Sequence, residues 1–171
     1  MEPYFLIAVP QLKSPYFFQS VVFVVNHNEE GAFGFVINRL LPNTLNELFT
    51  ELKWDVRLPS EQQLLWGGPV GDGSCFLLSP DSIGMNNPEG SSNQETVEAL
   101  LEKKQYFDMI VGYAGWGPEQ LEQEIEMGTW LFTDMSLKEM LDTPVKDRYT
   151  KALESLDIDI EALWNSPTFK S

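Results

Sequence analysis

Val111-Gly-Tyr-Ala-Gly-Trp-Gly-Pro-Glu-Gln-Leu-Glu-Gln-Glu-Ile125 is the stretch whose reading decides the fold. It continues Tyr106-Phe-Asp-Met-Ile-Val111, an apolar run with the length of a buried strand. Glycines at 112, 115 and 117 then bracket Tyr113 and Trp116, which predicts a tight turn. Pro118 suits the first position of a helix, where a backbone N–H has no partner to lose. Leu121 and Ile125 are four apart and share one helical face, and Gly128 supplies a stop. The expectation is strand 106–111, glycine turn, helix 118–126.

Outward from that stretch, two other glycine-bearing segments look built to meet it. They are Glu30-Gly-Ala-Phe-Gly-Phe-Val-Ile-Asn-Arg39 and Trp66-Gly-Gly-Pro-Val70. Phe5-Leu-Ile-Ala-Val9 reads as a short strand closed by Pro10. Val21-Val-Phe-Val-Val25 is apolar on both faces, as a central strand must be. With Phe33-Gly-Phe-Val-Ile37 it predicts a β-hairpin around a polar loop at 26–31. Leu64-Leu-Trp66, Cys75-Phe-Leu-Leu78 and Trp130-Leu-Phe132 read as further strands. Capping boxes at Thr44/Glu47, Ser92/Glu95 and Ser136/Glu139 open three helices, and Thr143-Pro144 opens a fourth. Residues 82–92 form the one long loop, and the chain from Ile158 on reads as acidic and loosely packed. Strands and helices mix without strict alternation, so the fold class is α+β or mixed α/β. A single domain spans 5–160, with 161–171 a C-terminal tail.

Composition narrows the function classes. A chain of 171 residues is long enough to bury ~70% of its unfolded surface without a disulfide or metal staple. The lone Cys75 cannot form an internal bridge. The N-terminus lacks the basic and apolar regions of a signal peptide, and no stretch supplies the ~20 apolar residues of a membrane helix. The chain therefore reads as cytoplasmic with no membrane role. Net charge is −15; the first 80 residues hold 8 acids and 4 bases, and the rest hold 18 and 7. That field repels nucleic acid, so no direct nucleic-acid binding is expected.

No complete catalytic set is present. One histidine and one cysteine exclude a Cys/His zinc site, and no metal or cofactor is expected. Asp157-x-Asp159-x-Glu161 begins like a calcium loop, but Ala162 and Thr168 stand where it requires Gly and Glu. Gly71-Asp-Gly-Ser74-Cys75 lacks the closing glycine of a nucleophile elbow, and no Walker A loop occurs. His27 is expected to be a loop residue, solvated or capping backbone groups, in preference to a catalytic base, and Cys75 a core residue in preference to a reactive thiol. Arg39, one of three arginines, ends a strand and follows Asn38. It is the candidate anchor for an anion or the partner of a nearby carboxylate. The candidate ligand site joins Asn38 and Arg39 with Gly67 and Gly68 and with Gly115, Trp116 and Gly117. Each of these segments ends an apolar strand with a residue that admits close backbone approach.

Taken together these stretches resemble the YqgE/AlgH family of bacterial proteins. The matching residues run from Phe5-Leu-Ile-Ala-Val-Pro10 through His27-Asn28, Gly31-Ala32 and Val36-Ile-Asn-Arg39. They continue at Gly67-Gly-Pro-Val70, Gly112-Tyr-Ala-Gly-Trp-Gly117, Glu124-Ile125 and Trp130-Leu131. The chain departs from the family pattern at Ser14, Asn26, Leu40, Asp72-Gly-Ser74, Ser79 and near Tyr149. The resemblance implies a compact domain on a mixed, largely antiparallel sheet flanked by helices, without an established activity. The AlgH name is associated with transcriptional regulation, which the charge makes indirect here. Two readings follow. One is a non-enzymatic regulatory or binding protein with a small-molecule or protein partner. The other is an enzyme on a small anionic or phosphorylated metabolite, with Arg39 as anchor. A flat apolar face around Arg39 favours the first, a deep pocket the second.

Overall fold

Asp108–Trp116 is one continuous strand, and three other strands pair with it. The tight turn expected at 112–117 is absent: strand pairing runs through Gly112 and Gly115. Gly112 marks a close backbone crossing with Gly68 and Val70, whereas a side chain at Gly115 would meet open space. In the computed structural model, which describes residues 3–80, 82–84 and 91–156, the elements follow in order. They are β1 (Tyr4–Ala8), β2 (Val21–Asn28), β3 (Gly31–Val36), β4 (Leu40–Thr44), α1 (Leu45–Glu51), β5 (Gln63–Trp66), β6 (Val70–Ser79) and β7 (Ser82–Gly84). Then come α2 (Ser91–Glu102), β8 (Asp108–Trp116), α3 (Gln120–Glu126), β9 (Trp130–Thr133), α4 (Leu137–Leu141), a 3-10 turn at Val145–Asp147 and α5 (Arg148–Glu154).

The sheet runs β4-β5-β8-β3-β2-β1-β9, with β6 paired to both β7 and β8. Among the described residues the pairing is antiparallel everywhere except between β5 and β8. This is the α+β class that the sequence predicts, with the largely antiparallel sheet that the resemblance implies. The first half of β8 lies between β5 and β6, and its last three residues pair with β3. Gly67 and Gly68 occupy the fork where β5 gives way to β3. Gly67 donates its N–H to the Val111 carbonyl and accepts from the Val36 N–H, both at 2.8 Å. A Cβ on Gly68 would overlap the Tyr113 carbonyl, and Gly68 holds φ +155°. Only glycine passes there.

Periodicity places the core. On β1, Phe5 and Ile7 face one layer while Leu6 and Ala8 face the other, and β2 alternates likewise. Met140, Leu141, Ala152 and Leu153, from α4 and α5, cover the first face. Leu121 of α3 and Trp130 of β9 belong to the second, with Leu12 and Phe17 of the β1–β2 connection packed against it. Leu45 and Phe49 of α1 meet Val97 and Leu100 of α2 over Leu64, Cys75 and Leu77.

Caps bear out two of the three boxes. Thr44 Oγ1 accepts from Glu47 N, while the Glu47 carboxylate accepts from Thr44 N, each at 3.1 Å. Ser136 and Glu139 do the same at 3.1 Å. α2 begins at Ser91, one residue before the expected cap at Ser92. α3 begins at Gln120 and not at Pro118, because β8 runs on to Trp116 and Glu119 turns the chain at φ +64°. Gly128 at φ +81° ends the helix turn as expected.

The β2–β3 loop is only Glu29–Glu30, shorter than the expected 26–31, and His27 therefore stands in a strand. Pairing of Asn26, His27 and Asn28 with Phe33, Ala32 and Gly31 extends the hairpin past its apolar section. Within 82–92, Ser82–Gly84 pairs with β6. Residues 85–90 of that loop, the chain from Ile158 on and the 161–171 tail lie outside the described residues.

Candidate functional site

Asn38 and Arg39 leave β3 and fasten the β1–β2 connection onto the sheet. Asn38 Oδ1 accepts from the Val21 N–H and its Nδ2 donates to the Gln19 carbonyl, both at 2.9 Å. Arg39 Nη1 donates to Pro15 O at 3.2 Å and Nη2 to Phe18 O at 3.1 Å. Its guanidinium lies 5.1 Å from the centre of the Trp66 ring, a cation–π contact. Partial burial pushes the Arg39 pKa down from its ordinary value. The Arg39 carbonyl accepts from Trp66 N at 2.8 Å, so Arg39 sits directly beside Gly67 and Gly68. Its guanidinium makes no ion pair with a carboxylate among the described residues.

Gly115, Trp116 and Gly117 lie further along. Trp116 is buried at 6% exposure, while Gly115 and Gly117 are exposed. One carboxylate oxygen of Glu124 accepts from both Trp116 Nε1 at 3.2 Å and Trp130 Nε1 at 2.9 Å. Gln120 donates to the other oxygen at 3.0 Å and accepts from the Gly117 N–H at 3.0 Å. Thus the polar half of the Gly-Trp-Gly-Pro-Glu-Gln-Leu-Glu-Gln-Glu stretch locks α3 to the end of β8. A row of rings joins the two ends of the candidate site: Trp66 stacks on Tyr16 at 6.2 Å, and Phe17 stacks on Trp116 at 6.1 Å. The structure thus brings Asn38 and Arg39 against Gly67 and Gly68, and reaches Gly115–Gly117 through Tyr16 and Phe17.

Sequence reasoning passed over two polar clusters. Arg148 is fully buried and donates to Asp108 Oδ2 at 2.8 Å, to Ile37 O at 2.8 Å and to Thr143 O at 3.0 Å. Tyr106 donates to the same carboxylate at 2.5 Å, and burial drives its phenol well above the ordinary range. An amphipathic reading of 145–156 picks out Val145, Tyr149, Ala152, Leu153 and Leu156; Arg148, three after Val145 and four before Ala152, shares that stripe, and a charge on an apolar face was the signal passed over. His27, at 9% exposure, is not solvated. Its Nδ1 shares a hydrogen bond with Tyr4 OH at 2.6 Å, and Nε2 lies 3.0 Å from Glu122 Oε1. Burial and the Glu122 charge push the Tyr4 phenol to about 12, so this line of three groups does not furnish a tyrosinate. Cys75 is buried as expected, and burial pushes its thiol to about 12, far from a reactive thiolate. Among the described residues no group of three His, Cys, Asp or Glu side chains is placed to hold a metal ion.

Of four clefts lined by described residues, none includes Arg39 or the candidate glycines. One, between α1 and β6, carries Glu47 and Glu51 over Leu48, Leu64 and Cys75, with no base in its walls. Another carries Arg57 and Lys104 with no acid in its walls.

The fold and these constellations define a one-domain α+β protein organised on strand pairing around β8. The AlgH-like family model matches residues 5–161, and the chain belongs to that family. A UPF0301 protein of Shewanella loihica is 34% identical, over 94% of this chain and 93% of that one. One from Vibrio atlanticus is 31% identical over 94% of each. The solution structure of AlgH from Pseudomonas aeruginosa superposes with a TM-score of 0.69 at 30% identity, covering 95% of this chain and 92% of that one. A Corynebacterium diphtheriae crystal structure, 21% identical, shares the fold with a TM-score of 0.72 over 95% and 91%. No helix among the described residues is long and apolar enough to cross a membrane.

Proposed function

We propose that this protein is a non-enzymatic binding protein that acts through a protein partner docked around Tyr16, Phe18 and Leu40. The observation that carries the reading is the use of Arg39. Its two terminal nitrogens donate to loop carbonyls, and its face lies on Trp66. A guanidinium so engaged holds a loop in shape and is a poor anchor for a phosphorylated metabolite. The loop it holds carries Tyr16 at 51% exposure and Phe18 at 47%, and Leu40, at 48%, follows Arg39 in the chain. Large apolar side chains grouped on a stiffened loop suit a protein contact, with aromatic anchors prepared in advance. The net charge of −15 favours a partner whose apolar contact is ringed by lysine and arginine, and it weighs against nucleic acid. A regulatory role would then be exerted through that partner and not on DNA.

The test is site-specific photo-crosslinking in the cells that express the protein. A crosslinking residue at Phe18 should give one discrete adduct, identified by mass, and at the exposed Glu29 none. The adduct should disappear when Arg39→Ala frees the loop, and the purified partner should bind the wild type more tightly than that variant. Identical adduct patterns at positions 18 and 29, or an adduct indifferent to Arg39→Ala, would sink the reading. An adduct with a second copy of the chain would replace the partner by self-association.

A further inference from the structure

The cleft that carries Arg57 and Lys104 lies between the segment 57–62 and the turn that follows α2, with a volume of about 570 Å³. That is within the range of small-molecule sites, ~300–1,000 Å³. Its wall is built, not loose. Asn46 accepts from the Leu58 N–H at 2.8 Å and donates to Leu58 O at 3.1 Å and Ser60 O at 3.3 Å. Gln62 crosses to the opposite wall and donates to Phe107 O at 2.8 Å. Leu101, the buried Phe107 and the exposed Tyr106 supply its apolar lining.

Charge singles this cleft out. The chain has 11 bases against 26 acids, yet two bases and no acid line it. Arg57 uses Nη1 on the Asn46 carbonyl at 2.9 Å, which aims the guanidinium and leaves further donors on it. Neither Arg57 nor Lys104 belongs to any of the three ion pairs among the described residues. Two cations in an acidic protein, without carboxylate partners among the described residues, beside apolar walls, match a ligand with one oxyanion and an apolar body.

We propose that this cleft binds a small monoanionic amphipathic molecule: a carboxylate, held between Arg57 and Lys104, on an aromatic or branched apolar frame seated against Leu101, Tyr106 and Phe107. The guanidinium fork fits a carboxylate edge. A single charge fits better than two. The protein's overall field is negative, and the C-terminal end of α2 points its partial negative charge at the same region. The competing account is that Lys104 merely answers that helix end, and that Arg57 only braces its own segment. The proposal is independent of the partner face around Tyr16, so the failure of either leaves the other standing.

The experiment is a 1H–15N NMR titration of the full chain with phenylacetate at ~0.15 M salt. Benzyl alcohol, benzylamine, acetate and phenyl phosphate serve as matched probes. Phenylacetate should give saturable shifts at 57–62 and 101–107. The neutral and cationic analogues and acetate should bind at least ~10-fold more weakly, a difference of ~1.4 kcal/mol. Arg57→Gln with Lys104→Gln should weaken phenylacetate by at least ~10-fold while the remaining spectrum and the melting temperature stay put. Absent or non-saturable shifts in those segments, equal binding of benzyl alcohol, or an unaffected double variant would overturn the site. Tighter binding of phenyl phosphate would overturn its monoanion assignment.

Discussion

Arg148 and Arg39 perform the same chemistry at two depths. Both donate to backbone carbonyls of segments remote in sequence, Ile37 for one and Pro15 and Phe18 for the other. Arg148 does so with no exposure and with Asp108 and Tyr106 closing the cluster. Arg39 does so half-exposed, with a ring in place of a counter-ion. The difference teaches what depth does to an arginine that bridges remote segments. In the interior the guanidinium is tied to a carboxylate whose desolvation it offsets, so removing either group strands the other. Near the surface it holds a loop, and its loss is felt locally.

The largest expected effect lies on the deep side. Arg148→Ala should lower unfolding free energy by about 3–5 kcal/mol, read by chemical denaturation, because Asp108 would remain buried without its cation. Arg148→Met combined with Asp108→Leu should cost clearly less than the two single changes added together. Additive losses would show that the pair is no unit and would erase the contrast with Arg39. Next comes Gly68→Ala, at the fork that supports Arg39 from below. The Cβ would overlap the Tyr113 carbonyl at a φ of +155°, and a loss of about 2–4 kcal/mol is expected. A neutral result would mean that the fork can relax.

Alkaline pH probes the deep side in another way. Cys75 moves from 9.0 to about 12 and Tyr4 from 10.0 to about 12, both chiefly through burial, and Tyr106 is also raised. The unfolded chain therefore releases these protons before the folded chain does. Stability is complete well below pH 9 and falls as pH rises toward 12, the Cys75 shift alone corresponding to about 2 kcal/mol near pH 10.5. Denaturation midpoints at pH 8 and 10.5 would check this, and a flat profile would contradict it. The smallest effect belongs to the shallow side. Arg39→Ala should cost about 1 kcal/mol. Hydrogen exchange should quicken around 14–20 and stay unchanged at α5. Faster exchange at α5 would show that the two arginines are coupled.

Local signals were legible. The Thr44 and Ser136 caps, the Gly128 stop and the two-faced apolar β2 each depend on residues within a few positions, and the described structure carries all of them. The grouping of Asn38 and Arg39 with Gly67 and Gly68 was also readable, because glycines at strand ends announce close backbone approach. Pairing was not legible. Nothing near Gly112 or Gly115 says that β6 and β3 will pair with the strand on either side of them, and nothing near His27 says that Tyr4 and Glu122 will enclose it.

The sequence by itself determined the family, the fold class and which segments are apolar enough to be strands or faces of helices, because those properties are short-range or compositional. Only the tertiary structure decided the fate of each arginine: Arg148 bolted to Asp108, Arg39 to a loop, and Arg57 left on a cleft. A charged side chain is stabilised by whatever the fold places within about 3 Å of it. For Arg148 those partners lie 111 positions away at Ile37 and 40 away at Asp108, distances along the chain that no local pattern encodes.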